Sequence, residues 1–436
     1  MTEFGGVTMD RVDLQSPATY AESCLRIADR NFAGLTAAEV EAAAPEYNAY
    51  PGLEELRPPQ NIIRLEDRLD EKMRQAARRA VLEGRIFWEH TAAGEATRLK
   101  LGPKYLIHPH SLEGRVEADL EPLNLLPLTL GSRHLLQWVF EIRRLAEESG
   151  EDPQKVLSRQ KTLLVVNEDI RAEVLMRLRE ADFLGLNPDA FFFLVQPAFH
   201  GLTPGPQGWR FNEDTPKRLH NHGHMAMLKT MDRQVFHLDR DGREHSLSQE
   251  DFFRRLGEAD DLLSYNIEDL GYLTRALDFD TIGLALHLGS EGYGMTMEIV
   301  GNNPQAPITG GLCAFDPALG RDVVIEGFRL KGLPPEKIHH LNKNFNHYPQ
   351  PALAFKKLHE EGLFMPVAVK DGALYFQPVQ GDMNFLVKTA FIGRRVPAPI
   401  HSWKSGLDTP AALRAMAEQD SQPGFRDFAL NYCQEH

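Results

Sequence analysis

The chain has 436 residues, 42% hydrophobic and 25% charged, a composition that fits a packed globular protein of two or three domains. Its 62 acidic and 48 basic residues give a net charge of −14, which argues against a protein that coats nucleic acid or an anionic membrane. No apolar run approaches a membrane span, and MTEFGGVTMD has no basic or apolar leader region, so neither membrane insertion nor secretion is expected. Cys24, Cys313 and Cys433 lie far apart, match no metal or redox spacing, and read as reduced thiols of a cytoplasmic protein.

The first eighty or so residues read as helical. Helix formers fill Ala18–Asn31 and Ala37–Ala44, Tyr50-Pro51 and Pro58-Pro59 interrupt, and Leu65–Leu82 has apolar residues at helical spacing. Residues 1–84 are therefore expected to form a helical N-terminal cap. Ile86-Phe87-Trp88 is a short apolar run leading into Thr91–Lys104, TAAGEATRLKLGPK. Strands and helices then alternate: helix Ser132–Ser149, strand Thr162–Val166, helix Ile170–Asp182, strand Ala190–Gln196, strand Asp261–Tyr265, helix Ile267–Ala276 and strand Thr281–His287. From Glu291 the pattern is richer in strands, with Gly310-Gly311 and Asp322–Glu326 suggesting an antiparallel extension. Leu407–Asp420, begun by Asp408-Thr409-Pro410, reads as the last helix. The alternation predicts an α/β fold with a mixed, mostly parallel sheet of Rossmann type, flanked by helices on both faces. Ligands of such sheets bind beyond the carboxyl ends of the strands, which puts the Thr91–Lys104 loop, Asn167, Gln196 and Asn266–Asp269 on one edge.

That loop combines small residues (Ala92, Ala93, Gly94, Ala96), a hydroxyl (Thr97) and three cations (Arg98, Lys100, Lys104). Small residues let backbone N–H groups approach an anion, and the cations neutralise charge further along it. A phosphate site and a surface loop with scattered basic residues both remain open on this segment alone. His220, His222 and His224 alternate, which on an extended segment puts all three on one face, a geometry a transition metal could use. His339, His340 and His347 read as surface or sugar-edge residues.

Taken in order, several segments between about residues 85 and 415 resemble the UDP-sugar pyrophosphorylases, the eukaryotic-type UDP-glucose and UDP-N-acetylglucosamine group. TAAGEATRLKLGPK resembles their L-x-G-G-x-G-T loop and downstream P-K, and Leu164–Glu168 a strand ending in M-N/T-S. Phe191–Gln196 is similar to the apolar strand ending in a glutamine that reads uracil, and Asn221-His222-Gly223-His224 to G-H-G-D. NIEDLG at Asn266–Gly271 resembles N-S-D-N-L-G, and Thr309-Gly310-Gly311 with Val324-Ile325-Glu326 a K-G-G…L-E pair. LNKNFN at Leu341–Asn346 is similar to F-N-T-N-N, and PIHSWKS at Pro399–Ser405 to the P-V-K-T that brings a late lysine to the phosphates.

The resemblance implies a GT-A-like nucleotidyltransferase domain over 85–395 and a short C-terminal segment, 396–436, carrying that lysine. It implies a uridylyltransferase that makes a UDP-sugar and pyrophosphate from UTP and a sugar 1-phosphate, with Mg2+ as cofactor. Arg98, Lys104 and Lys404 would neutralise phosphate oxygens; Ala93, Gly94, Ala96, Thr97, Gln196, Asn221, His222 and Gly223 would hold the nucleotide. Asn266, Gly311, Glu326, Asn342, Asn344 and Asn346 would line the sugar, and Glu268 with Asp269 would hold the metal. Each residue also has a plainer role. Gln196 could satisfy a loop carbonyl, Glu268-Asp269 could complement a helix dipole, and the asparagines could make turns. The chain departs from the family pattern at Ala93 and Ala96, where the loop has glycines, at His224 for an acid, and at Glu268 for an aspartate. These departures motivate an alternative, a nucleotide- or sugar-phosphate-binding protein weakened in catalysis; a His-cluster metalloprotein is the alternative from another class. The long C-terminal β-helix of the UDP-glucose enzymes is expected to be absent or reduced. The sequence leaves the sugar and the oligomeric state open.

Overall fold

A computed structural model describes residues 2–4, 7–9, 11–94, 102–109, 123–267, 276–302, 310–395 and 409–435. Near the N-terminus α1 (Pro17–Phe32) starts at a capping box, in which the Ser16 hydroxyl accepts from Thr19 N while Thr19 accepts from Ser16 N. It is followed by α2 (Ala37–Asn48), strand β1 (Ile63–Arg64), a single turn α3 (Leu65–Arg68), α4 (Glu71–Leu82) and β2 (Ile86–Thr91). The helix expected over Leu65–Leu82 is thus broken. Leu69 is extended, and the Asp70 carboxylate accepts from Met73 N at 2.8 Å, starting a new helix.

Then come α5 (Leu130–Glu148), α6 (Pro153–Arg159), β3 (Lys161–Asn167), α7 (Glu168–Glu180), β4 (Phe191–Gln196), α8 (His222–Leu228), β5 (Val235–Leu238), β6 (Glu244–Ser246), α9 (Gln249–Gly257) and β7 (Asp261–Asn266). The helix expected at Ile267–Ala276 falls almost wholly outside the described residues. The next segment corrects an expectation: Thr281–His287 lies inside α10 (Phe279–Ser290), not in a strand. The Asp278 carboxylate caps it by accepting from Asp280 N and Thr281 N. Gly283 lets it lie directly on α4, since a Cβ there would sit 2.6 Å from Met73 O. A continuous apolar run has no period to separate a buried strand from a buried helix.

The chain continues as β8 (Met295–Gly301), β9 (Leu312–Asp316), β10 (Arg321–Ile325), β11 (His340–Pro349), α11 (Pro351–Glu361), β12 (Thr389–Gly393), α12 (Thr409–Asp420) and α13 (Pro423–Glu435). The helix at Leu407–Asp420 is therefore not the last.

Among the described residues twelve strands form one sheet in the order β6-β5-β4-β3-β2-β7-β11-β8-β12-β1, with the β9–β10 hairpin attached through β11. Strands β4, β3, β2 and β7 are mutually parallel, as are β8, β12 and β1. Because β11 is antiparallel to both β7 and β8, these two groups point the same way and share a carboxyl edge. Alternation divides the core in two. Phe87, Leu163, Val165, Leu194 and Leu262 pack with Cys24 and Ile27 of α1, Phe252 of α9 and Phe355 of α11. Trp88, Leu164, Val166, Phe193 and Leu263 pack on the other face with Ala77 of α4, Ile142 of α5 and Val174 of α7. This is the expected α/β architecture, a mixed, mostly parallel sheet covered on both faces. Among the described residues no helix is long and apolar enough to cross a membrane.

Candidate active site

The parallel strands end side by side. Asn167 is in register with Gln196, and Asn266 with Thr91. Beyond Thr91 the chain is fastened to β3: Ala92 N donates to Val165 O at 2.8 Å, and the Asn167 side chain donates to Ala93 O at 2.9 Å while accepting from Ile170 N. The Ala93 methyl is buried in the core without a positive φ, so alanine is accommodated at that family glycine position. Gly94 is different. Its carbonyl accepts from Lys104 N at 3.0 Å, and a Cβ on it would lie 2.7 Å from both Cε and Nζ of Lys104. The glycine leaves the space in which a lysine only 8% exposed holds its ammonium at the sheet edge. Tyr105 anchors the same turn by packing on Gly131, where a Cβ would meet the ring at 2.2 Å.

At the next strand end Gln196, also buried, donates from Nε2 to the carbonyl of His220. Asn221 follows, and its side chain accepts from His222 N at 2.9 Å to open α8. Gly223 N donates to Pro378 O at 2.9 Å, and a Cβ there would lie 2.4 Å from the Pro378 carbonyl carbon, so the two backbones touch. The fold thus brings Gln196, Asn221, His222 and Gly223 together. It does not put the three histidines on one face: the helix begins at His222, while His220 and His224 sink into an aromatic cluster with Tyr20 and Phe199. Burial pushes the His224 ring down to about 3 and His220 well below its ordinary value. Among the described residues no group of three or more His, Cys, Asp or Glu is placed to hold a metal, which removes the histidine-cluster metal site.

The sugar residues expected from the resemblance lie around the β9–β10–β11 unit. Asn342 accepts from Gly311 N at 2.7 Å through its side chain, and its own N donates to Gly311 O at 2.9 Å. Glu326 Oε1 is 3.3 Å from where a Cβ on Gly311 would stand, and 3.0 Å from the same point on Gly381. Asn346 is buried between Ser264 and Met297 of the flanking strands, and among the described residues its Oδ1 accepts no hydrogen bond. His347, expected at the surface or the sugar edge, is instead buried beside Asp261 at 2.5 Å, because alternation along β11 turns it into the sheet's other face. Ala96, Thr97, Arg98, Glu268, Asp269 and Lys404 lie outside the described residues, as does the side chain of Asn344.

Sequence reasoning missed the segment that ties these groups together, Pro378–Asp382. Pro378 meets Gly223; Gln380 donates to Ser264 Oγ at 3.2 Å and to Tyr348 OH at 2.9 Å; Gly381 lies against Glu326. Asp382 pairs with Arg329 at 3.5 Å, both buried. Burial raises the Asp382 carboxyl to about 6 although Arg329 opposes the shift. Its only sequence signal is a Gly-Asp shortly after a proline, which any turn would share. Also missed were two buried groups under β2. Glu89 pairs with Lys229 at 2.5 Å, and His90 Nδ1 lies 2.8 Å from His134 Nε2, which is 3.1 Å from Tyr265 OH.

No family model matches the sequence, and no curated protein matches it. Solved structures do resemble the fold. The UDP-N-acetylglucosamine pyrophosphorylase of Trypanosoma brucei in complex with an inhibitor aligns at a TM-score of 0.59 with 14% identity, over 87% of this chain and 79% of that one. The UDP-glucose pyrophosphorylase of Leishmania major, known in open and closed structures, aligns at 0.57 with 13% identity, over 90% and 75%. A point mutant of that Leishmania enzyme in complex with UDP-glucose gives 0.55 and 15%, over 91% and 79%. At these identities the likeness establishes a shared fold.

Proposed function

We propose that the protein is a nucleotidyltransferase of the UDP-sugar pyrophosphorylase type, forming a UDP-sugar and pyrophosphate from UTP and a hexose 1-phosphate. The phosphate oxygen of the sugar 1-phosphate attacks the α-phosphorus in line. The bond to the bridging oxygen breaks, and pyrophosphate leaves with the electron pair. Such chemistry asks a protein for positioning and charge neutralisation rather than covalent steps. The observation that carries the reading is the order of groups along the carboxyl edge. A buried lysine lies over Gly94, a glutamine and an Asn-His-Gly turn come next, and the Gly311–Glu326–Asn342 group lies across the sheet, in a fold shared with UDP-sugar pyrophosphorylases.

In this reading Lys104, Arg98 and Lys404 neutralise the triphosphate, with Ala93, Gly94, Ala96 and Thr97 lining it. Gln196, Asn221, His222 and Gly223 hold the base and ribose. Asn266, Gly311, Glu326, Asn342, Asn344 and Asn346 receive the sugar. Magnesium takes oxygen ligands, and a strand whose carboxyl end lies beside Thr91 leads directly to Glu268 and Asp269, the carboxylates proposed to hold it. When bound, the ion would neutralise phosphate charge.

The test is pyrophosphate exchange with UDP-glucose, UDP-galactose and UDP-N-acetylglucosamine in the presence of magnesium, with thermal stabilisation by UTP measured alongside. Exchange with at least one sugar is expected. Stabilisation by UTP without exchange would favour the binding-protein alternative, and neither response would end the nucleotide reading.

A further inference from the structure

We propose that Tyr20 on α1 and the buried His220 are positioning residues that lock the Gln196 amide in one orientation and so decide which pyrimidine edge it accepts. The inference rests on reading the carboxyl edge as a nucleotide site. A backbone carbonyl can only accept a hydrogen bond, so the atom of Gln196 facing His220 O has to be Nε2. Its oxygen then stands as an acceptor beside the second N–H of the amide. Uracil offers the complement, an N3–H donor flanked by carbonyl acceptors. Cytosine offers an acceptor at N3 and an amino donor, and matching it would require the amide to flip, setting two carbonyl oxygens against each other.

The orientation holds because His220 itself is held. Its Nδ1 lies 3.0 Å from the Tyr20 hydroxyl, and its ring stacks on Phe199 with centroids 4.3 Å apart. Tyr20 stacks in turn on His224 at 4.6 Å. The tyrosine is one turn into α1, where Tyr20 N donates to Ser16 O and the Ser16–Thr19 capping box sets the start of the helix. Tyr20 and His220 are fully buried, which keeps the phenol protonated and the imidazole neutral, so no charge change in the working range loosens the contact. A helix about 175 residues before Gln196 in the chain thereby sets the hydrogen-bonding face of that glutamine.

The experiment compares UTP with CTP in the full-length protein, by KM and kcat where exchange is found and by binding otherwise. The wild type is expected to prefer UTP by on the order of 10–100-fold, and Gln196→Ala to lose most of that preference. Tyr20→Phe and His220→Leu are expected to cut the preference by about 5-fold, the loss falling on KM for UTP rather than on kcat. His220→Gln, which keeps a group able to pair with the Tyr20 hydroxyl, is expected to restore it. Folded Tyr20→Phe and His220→Leu variants that keep the wild-type ratio while Gln196→Ala loses it would overturn the proposal and leave the nucleotide reading intact. A wild type that neither binds nor uses UTP would overturn the nucleotide reading, and an unchanged ratio in Gln196→Ala would remove the glutamine from base recognition.

Discussion

The two ends of the carboxyl edge are built by different means. At the end proposed for the nucleotide, Thr91, Asn167 and Gln196 close parallel strands, and Asn167 and Asn221 cap helices. The end proposed for the sugar is assembled across an antiparallel unit from Gly311, Glu326 and Asn342, residues that meet only because β9, β10 and β11 pair, with Gly381 added from a separate segment. Local geometry therefore constrains the first end and long-range pairing the second. Backbone close-packing should make the nucleotide end intolerant of small changes, while side chains at the sugar end can give.

The largest effect is expected at Lys104. Replacing it with methionine keeps most of the stem that covers Gly94 and removes only the charge. Loss of one positioned group that stabilises developing phosphate charge should lower kcat by about 10²–10³-fold. A pyrophosphate-exchange assay on the variant checks this, and turnover near wild type would show that Lys104 is a packing residue. Next in size is a pair of glycine substitutions that tests the contrast directly. Gly223→Ala drives a methyl into the backbone of Pro378–Val379, at 2.4 and 2.5 Å, where neither chain can rotate aside. It should cost about 2–3 kcal/mol of stability and weaken both nucleotide and sugar binding, since Pro378–Asp382 reaches both ends. Gly311→Ala meets side-chain atoms of Val324, Asn342 and Glu326, at 2.9 to 3.3 Å, and should cost about 1 kcal/mol. Chemical denaturation of the two variants, with equal losses, would erase the distinction between the ends.

That contrast also explains what could be read from the amino acids alone. The short apolar runs at Ile86–Trp88, Thr162–Val166 and Ala190–Gln196, with helix-length segments between them, pointed to a parallel sheet, and the strand-end rule then pointed to Asn167, Gln196 and Asn266. Thr281–His287 misled because an apolar helix buried on α4 has no polar face to show its period. Gln380 was invisible for another reason. Its partners Ser264 and Tyr348 are 116 and 32 residues away in the chain, and nothing local in Pro378–Asp382 encodes that meeting. Gln196 shows the limit from the other side: a motif picked out the residue, but only the structure showed its amide already engaged with His220 O.

The smallest effect expected is a change of slope, in which Asp382 opposes the buried histidines. His220 and His224 under the nucleotide end, and His90 and His134 on the other face of β2, are all held below the ordinary histidine value, chiefly by burial. In the unfolded chain these rings take up protons near pH 6.5 and in the folded chain they do not. The unfolded state then binds more protons, and stability falls as pH drops below about 6.5, by about 1.4 kcal/mol per pH unit for each ring. Asp382 at the sugar end acts the other way. Its carboxyl is raised to about 6, so through roughly pH 4 to 6 the folded state holds the proton that the unfolded state has lost, and stability falls as pH rises. Within that window Asp382 offsets one histidine. Asp382→Asn removes the offset, and the plot of unfolding free energy against pH between 4 and 6 should steepen by about 1.4 kcal/mol per pH unit. Leaving the buried Arg329 without its carboxylate partner also lowers the whole curve. Urea unfolding at closely spaced pH values gives both quantities, and a slope equal to that of the wild type would mean that Asp382 ionises in the fold as it does in the open chain.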